Sequence, residues 1–342
     1  METERVSPSD DAVLNDLRDA LRRYEGPGRV RKHPRPEHRL RRVLVLAAAT
    51  AVAACVALAG TTLLGGGSRS NVAYAATPPS LKYHFASDMP SAHDLLLQLA
   101  DKAAAQPDQK GRYDYVSIRS IDLDRTPLSE DQFQTVVNGG VLPDSYHPYT
   151  RQYWVAADGS GRVEDSGTPD TSGNKPTGWL NPPTELPADT SAMRSILKEI
   201  APGGPGGPTA QEFGYLETQQ FVDPLSQAAI LRVLADESDV TNAGAVTDRA
   251  GRNGVAVTQL SPDGKFRFTL IFDPSTGALL DAEQTLLDPS EPVGTLTYSP
   301  SGPDAKHPIP FRDYPIYVHT PAVTGYTVWL KTGRVDSTDQ TP

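Results

Sequence analysis

One apolar run limits what this chain can fold into: VLVLAAATAVAACVALAGTTLL, residues Val43–Leu64. The run holds 22 residues without a charge. A helix of that length, rising about 1.5 Å per residue, would cross a hydrocarbon core of roughly 30 Å. The sequence therefore predicts a transmembrane helix over residues 43–64. It divides the chain into a head, residues 1–42, and a much longer C-terminal part.

The charge on the two sides of this run predicts its orientation. Residues 1–42 contain 11 Lys and Arg against 8 Asp and Glu, a formal +3 that leaves −13 for the rest of a chain whose total is −10. An excess of basic residues marks the cytoplasmic flank of a membrane span. We therefore expect a single-pass protein of the cell membrane, with a cytoplasmic N-terminus and an extracellular C-terminal domain. The acidity of that domain argues against nucleic-acid binding, which needs a basic surface to meet phosphates.

Two processed forms of the chain stay open as alternatives. Ala73-Tyr74-Ala75 fits a signal-peptide cleavage site, although the head is longer than an ordinary n-region. Val52-Ala53-Ala54-Cys55 fits a lipobox, although the apolar run continues for nine residues past Cys55. Since Cys55 is the only cysteine, the chain can form no intramolecular disulfide and no cysteine-based zinc site.

The head carries one amphipathic segment. Ser7 and Pro8 suit the start of a helix over residues 9–24, and Gly26-Pro27-Gly28 suits its end. Five residues at helical spacing form the apolar stripe that we predict to bind a cytoplasmic partner: Val13, Leu14, Leu17, Leu21 and Tyr24. A helix this short cannot bury such a stripe alone. The alternatives are a weakly helical tail that only sets topology, or a helix on the membrane surface.

The rest of the chain divides into a linker at residues 65–80, an extracytoplasmic domain at residues 81–331 and a disordered tail at residues 332–342. In the domain, Pro90-Ser91 opens a helix, strands follow near residues 112–122 and 149–165, and three helices are expected between residues 189 and 237. Asp239–Thr285 then alternates apolar and polar residues, as an antiparallel meander does. This order of elements predicts an α+β fold, with helices packed on one face of an antiparallel sheet.

The sequence shows none of the motifs that mark an enzyme or a cofactor site. It contains no GxSxG, GxGxxG or HExxH and no Walker lysine. The turn at residues 158–165 lacks the spacing of an EF-hand loop. The histidines of the C-terminal part fall at no metal-ligand spacing: His84, His93, His147, His307 and His319. We therefore predict a non-enzymatic protein without catalytic residues, cofactor or metal. The least favoured hypothesis is a cell-envelope hydrolase.

Several segments taken together resemble a known family. They are VAYAATPPSLKYH (residues 72–84), YWVAADGSGR (153–162), TDRAGRNGVAV (247–257) and TLIFDPSTGALL (269–280). With the short charged head and the Ala-rich run, they are similar to uncharacterised actinobacterial membrane-anchored proteins often encoded beside extracytoplasmic-function sigma factors. The resemblance covers roughly residues 40 to 285. The head departs from zinc-containing anti-sigma domains, because it lacks their His-x-x-x-Cys-x-x-Cys signature.

The resemblance has implications for fold and function. The outer domain is distantly similar to the lipoprotein-carrier half-barrel of sigma-E regulators, which implies a curved antiparallel sheet around helices, behind one transmembrane helix and a short cytoplasmic helix. The leading prediction is a membrane-anchored sensor or regulator whose helix 9–24 contacts a sigma factor. The alternative is an extracytoplasmic carrier or binding module for a lipid, a cell-wall compound or another amphiphile.

Overall fold

The computed structural model describes residues 73–122, 141–142, 148–167, 171–200, 209–290, 294–298 and 312–342. These ranges hold four helices: α1 (Ala92–Ala104), α2 (Thr190–Ile200), α3 (Thr209–Gln219) and α4 (Pro224–Ala235). They also hold 14 strands: β1 (Ala73–Ala75), β2 (Tyr83–His84), β3 (Tyr113–Asp122), β4 (Val141–Leu142), β5 (Tyr149–Ala156), β6 (Gly161–Asp165), β7 (Gly173–Lys175), β8 (Thr241–Thr247), β9 (Asn253–Leu260), β10 (Phe266–Phe272), β11 (Leu279–Leu286), β12 (Gly294–Tyr298), β13 (Arg312–Tyr317) and β14 (Ala322–Val335).

Ten of these strands form one antiparallel sheet in the order β2-β8-β9-β10-β11-β14-β3-β5-β6-β7. Strands β8 to β11 form a meander, in which each strand pairs with the next along the chain. The last strand, β14, pairs with β11 on one side and with β3 on the other. The C-terminal strand therefore joins the meander to the strands that come first in the sequence.

The meander follows from alternation and from turn chemistry. In β10, Phe268, Leu270 and Phe272 face the helices, while Thr269 and Ile271 face the other way. Tight turns join the strands. The turn between β10 and β11 contains Gly277 with a φ of +73°, where an added Cβ would collide with the carbonyl oxygen of Leu99. A glycine is required there both by the left-handed backbone and by this close approach.

The main core lies between the helices and one face of the large sheet. Ser91 caps α1, since its Oγ accepts a hydrogen bond from the backbone N–H of Asp94 at 3.1 Å. Leu96 and Leu99 of α1 are fully buried in this core. Phe213 of α3 stacks on Phe272, with ring centroids 5.9 Å apart. The helices are thus held on the sheet by aliphatic and aromatic contacts.

A second, smaller sheet has the order β12-β13-β1-β4. Its central strand β1 runs parallel to both β13 and β4, while β12 and β13 are antiparallel. The sequence did not predict this sheet, because Ala73–Ala75 fall in the predicted linker and β4 has only two residues. Such short strands are defined by their partners and leave no periodic signal of their own.

The predicted fold class is wrong. It placed a transmembrane helix and a short cytoplasmic helix before a single half-barrel-like sheet, whereas the structure has a ten-stranded antiparallel sheet, four helices and a second, mixed sheet in its described ranges. No helix in the described part of the chain is long and apolar enough to cross a membrane. The longest has 13 residues, and a crossing takes about 20. Residues 43–64 and 9–24 themselves lie outside the described ranges.

The C-terminal end also differs from the expected disordered tail. Strand β14 continues through Thr332 to Val335, paired with β3 along this stretch. Beyond it, the carbonyl oxygen of Gln340 accepts a hydrogen bond from Trp154 Nε1 at 2.7 Å. Trp154 and Val335 pack together with Tyr115 on the sheet face away from the helices. The polar composition of the tail predicted disorder, but the hydrogen bond from the buried indole of Trp154 holds Gln340 against the sheet.

Candidate functional site

A groove lies between α3 and strands β10, β11 and β14, with a volume of about 300 Å³. It exists because small residues face one another across the helix–sheet interface: Gly214 on α3, Ala282 on β11 and Gly325 on β14. A Cβ added to Gly214 would meet the Cβ of Ala282 at 3.4 Å, an ordinary van der Waals contact. Larger side chains at these positions would close the groove.

The groove has an apolar floor and a polar rim. Phe268, Leu270 and Trp329 are buried and line it from the sheet. Amide and hydroxyl side chains line it as well: Gln211, Thr218, Gln284 and Thr327. Tyr215, with 46 % of its surface exposed, stands at the edge of the helix. An apolar floor with a few polar groups is the usual make-up of a small-molecule site, and the volume lies at the lower end of the range of such sites.

A second cavity of about 290 Å³ lies where the C-terminal part of α1 meets the junction of α3 and α4. Its lining combines apolar residues such as Val222 and Leu279 with uncharged polar residues such as Gln227 and Thr332. Its one ionisable side chain among the described residues is Glu217 of α3. Burial raises the pKa of Glu217 to about 8, and the neighbouring amide of Gln227 opposes this only in part. The carboxyl group is therefore mostly protonated at neutral pH.

The groove and the cavity are neighbours along α3. Trp329 lines the groove, and its indole N–H donates to the carbonyl oxygen of Glu217 at 2.9 Å. Glu217 in turn lines the cavity. One tryptophan of the central strand β14 thus fixes the position of the helix that borders both spaces.

The opposite face of the large sheet carries a buried polar cluster. Arg249 forms a short ion pair with Glu283, and its guanidinium lies over the ring of Tyr326 at 4.3 Å. The backbone N–H of Arg249 donates to Asp281 Oδ2 at 3.2 Å, and burial raises the pKa of this carboxyl to about 8. Arg249 also donates to the carbonyl oxygen of Pro79 at 3.0 Å. The cluster therefore ties the segment before β2 to the sheet.

Several buried polar atoms of this face have no hydrogen-bond partner among the described residues: Tyr83 Oη, Arg249 Nε, Arg267 Nε, Thr269 Oγ1 and Asp281 Oδ1. Buried polar atoms normally find a protein or water partner. The charges of the cluster are largely paired, and its residues hold the chain together. We therefore assign it a structural role and place the candidate site on the helix-facing side.

The predicted partner-binding residues lie outside the described ranges, so the structure does not place them: Val13, Leu14, Leu17, Leu21 and Tyr24. Within the described ranges, no group of three or more His, Cys, Asp and Glu side chains is arranged to hold a metal ion. His93 instead lies with its Nδ1 2.9 Å from the carbonyl oxygen of Ala235. This contact joins the start of α1 to the end of α4.

Sequence reasoning missed the residues that shape the groove and the cavity. Phe268 and Trp329 belong both to the core and to the groove lining. One available signal was Gly214, because a glycine inside a helix usually has a packing or functional reason. The burial of Glu217 was harder to predict from the sequence, because a single glutamate on a short helix is commonly exposed.

Comparison with protein-family models, curated protein sequences and solved structures found no match for this chain. The resemblance to actinobacterial anchored proteins therefore stays a prediction. Function has to be argued from the geometry of the two spaces beside α3.

Proposed function

We propose that the domain is a non-enzymatic binding module that takes the apolar chain of an amphiphile into the groove between α3 and strands β10, β11 and β14. The observation that carries this proposal is an apolar space of about 300 Å³ kept open by Gly214, Ala282 and Gly325. Its location outside the cytoplasm, which charge predicts, is part of the same proposal.

The lining supports an alkyl chain with an uncharged head group. Phe268, Leu270 and Trp329 give a continuous apolar floor. Each methylene buried there would contribute about 0.8 kcal/mol. The polar rim offers amides and hydroxyls, while the carboxylate of Glu283, whose residue borders the groove, is already paired with Arg249. A hydroxyl or amide head group would therefore find hydrogen bonds without an unpaired buried charge.

Trp329 allows a direct test with the full chain. The probe is 11-bromo-1-undecanol, whose bromine quenches tryptophan fluorescence on contact. Because Trp329 lines the groove, we expect saturable quenching that the variant Trp329→Phe removes. Gly214→Leu would place a side chain in the groove and should weaken binding by at least about tenfold.

The matched control is Ala245→Leu, an enlargement of a small residue at an exposed position of β8. It should leave quenching unchanged. If the wild type shows no saturable quenching, or if Gly214→Leu binds the probe as well as the wild type, the groove does not hold an amphiphile.

A regulatory role is the second candidate function. It is favoured by the apolar stripe of residues 9–24, which has no means of burial on its own. In this role the stripe contacts a sigma factor. The full chain should then co-purify with an extracytoplasmic-function sigma factor of its own organism, and Leu17→Asp should abolish the association. Equal recovery with the intact and the altered stripe would remove this candidate.

A further inference from the structure

The second cavity has the features of a built site. Its polar lining is held in fixed positions by backbone contacts: Gln227 Nε2 donates to the carbonyl oxygen of Gly277 at 3.1 Å, and Gln106 Nε2 donates to that of Lys102 at 3.1 Å. Val222 and Leu279 supply apolar wall. The space of about 290 Å³ can thus take both an alkyl group and a polar head.

Glu217 is the ionisable residue in the lining of this cavity. Only 7 % of its surface is exposed, and its Oε1 has no hydrogen-bond partner among the described residues. No ion pair with a described cation includes it. Arg334, which stacks on the cavity residue Phe221 at 5.4 Å, is already bound to Asp114 at 2.9 Å and to Asp223 at 2.7 Å. Glu217 therefore lines the cavity and holds an unused acceptor at Oε1.

We propose that this cavity binds the ammonium group of a small alkylamine, with Glu217 as its anionic partner and Val222 and Leu279 against its alkyl chain. This site is separate from the groove and does not depend on the proposed function. A buried carboxylate oxygen without a partner, as Oε1 is, is costly, and a cation that enters would supply the missing partner. Because burial raises the pKa of Glu217 to about 8, binding of the ammonium displaces the carboxyl proton into solvent.

The test compares three probes that share one alkyl chain and differ in the head group: n-hexylamine, 1-hexanol and hexanoate. Binding to the full chain is measured by isothermal titration calorimetry at neutral pH in two buffers of different ionisation enthalpy. We expect n-hexylamine to bind most tightly and hexanoate most weakly. The difference in heat between the two buffers should correspond to about one proton released per amine bound.

Two variants on the same helix separate the site from a general effect. Glu217→Gln should weaken n-hexylamine by about 10- to 100-fold, as loss of a charge-assisted hydrogen bond does, and should abolish the proton release. Glu212→Gln is the matched control, because Glu212 is also a buried glutamate of α3 but does not line the cavity. It should bind n-hexylamine like the wild type.

Three outcomes would overturn the proposal. The first is that n-hexylamine does not bind at concentrations up to about 10 mM, a range that covers weak binding of a fragment of this size. The second is equal affinity for the amine and the alcohol. The third is unchanged amine binding in Glu217→Gln. The groove variant Gly214→Leu should retain amine binding. Loss of bromo-undecanol quenching with intact amine binding, or the reverse, therefore tells the failure of one site from the failure of the other.

Discussion

At the scale of single residues, the buried carboxyl groups of the described ranges include three whose pKa is raised to about 7 or above: Glu212, Glu217 and Asp281. Burial is the main cause in each case, and it raises the pKa of Glu212 to about 7 and the pKa of Glu217 and Asp281 to about 8. The nearby charge of Glu237 adds to the effect on Glu212. Such groups are neutral in the folded state over a pH range in which they are ionised in the unfolded chain.

The pH dependence of stability follows from this difference for Glu217. Its pKa is raised from 4.5 to about 8 on folding, so its favourable contribution is complete below pH 4.5 and is lost as the pH rises towards 8. Glu217→Gln is neutral at every pH. The variant should therefore become more stable relative to the wild type as the pH rises, by several kcal/mol in all, since each pH unit is worth about 1.4 kcal/mol.

Urea unfolding of the full-length wild type and the variant between about pH 4 and about pH 9 measures this effect. Glu185→Gln, at an exposed position of the loop before α2, is the control and should show no such trend. A constant difference between Glu217→Gln and the wild type across the pH range would contradict the prediction.

At the scale of elements, α3 borders both the groove and the cavity, and its interior contains Gly214. A glycine inside a helix costs roughly 0.8–1.0 kcal/mol relative to alanine. At Gly214 the open groove leaves room for a methyl group, because the Cβ of an alanine would only reach ordinary van der Waals contact with Ala282 and Leu270. The helix is therefore less stable than its length and packing allow.

Gly214→Ala should raise the free energy of unfolding by about 1 kcal/mol, through higher helix propensity and the added contact. Gly277→Ala is the contrasting substitution. At a φ of +73°, and against the carbonyl oxygen of Leu99, it should lower the free energy of unfolding by more than about 1 kcal/mol. Urea unfolding of both variants measures the effects, and a destabilised Gly214→Ala would show that the groove has no room for a methyl group.

At the scale of the whole molecule, β14 is the strand on which the two parts of the large sheet depend. It pairs with β11 and β3, and Val323, Val328 and Trp329 are buried along it. Without it, the meander and the part formed by β3, β5, β6 and β7 would each expose an unpaired strand edge. The sheet is therefore completed only when the C-terminal strand is present.

A chain that lacks residues 322–342 should not unfold cooperatively and should aggregate through these exposed edges. A chain that lacks only residues 337–342 keeps β14 and loses the bond from Trp154 Nε1 to Gln340. It should remain folded and lose about 1–3 kcal/mol. Size-exclusion chromatography and urea unfolding test both chains, and cooperative unfolding without β14 would contradict the central role of this strand.

The sequence alone determined the local elements of the domain. The four strands between residues 239 and 285 follow from alternation and from turns such as Asp273–Gly277. The helices after Ser91 and at Pro224 follow from capping and from their apolar spacing. These signals depend on neighbours a few residues apart, so they can be read without the fold.

The tertiary structure decided the rest. Gly214, Ala282 and Gly325 form one groove only because α3 packs across two strands that are distant in sequence. Glu217 becomes a buried carboxyl group only because Trp329 of the last strand holds its helix against the sheet. The long-range pairing of β14 with β3 spans more than 200 residues of sequence. No local pattern encodes such contacts, because their free energy arises from surfaces that meet only after folding.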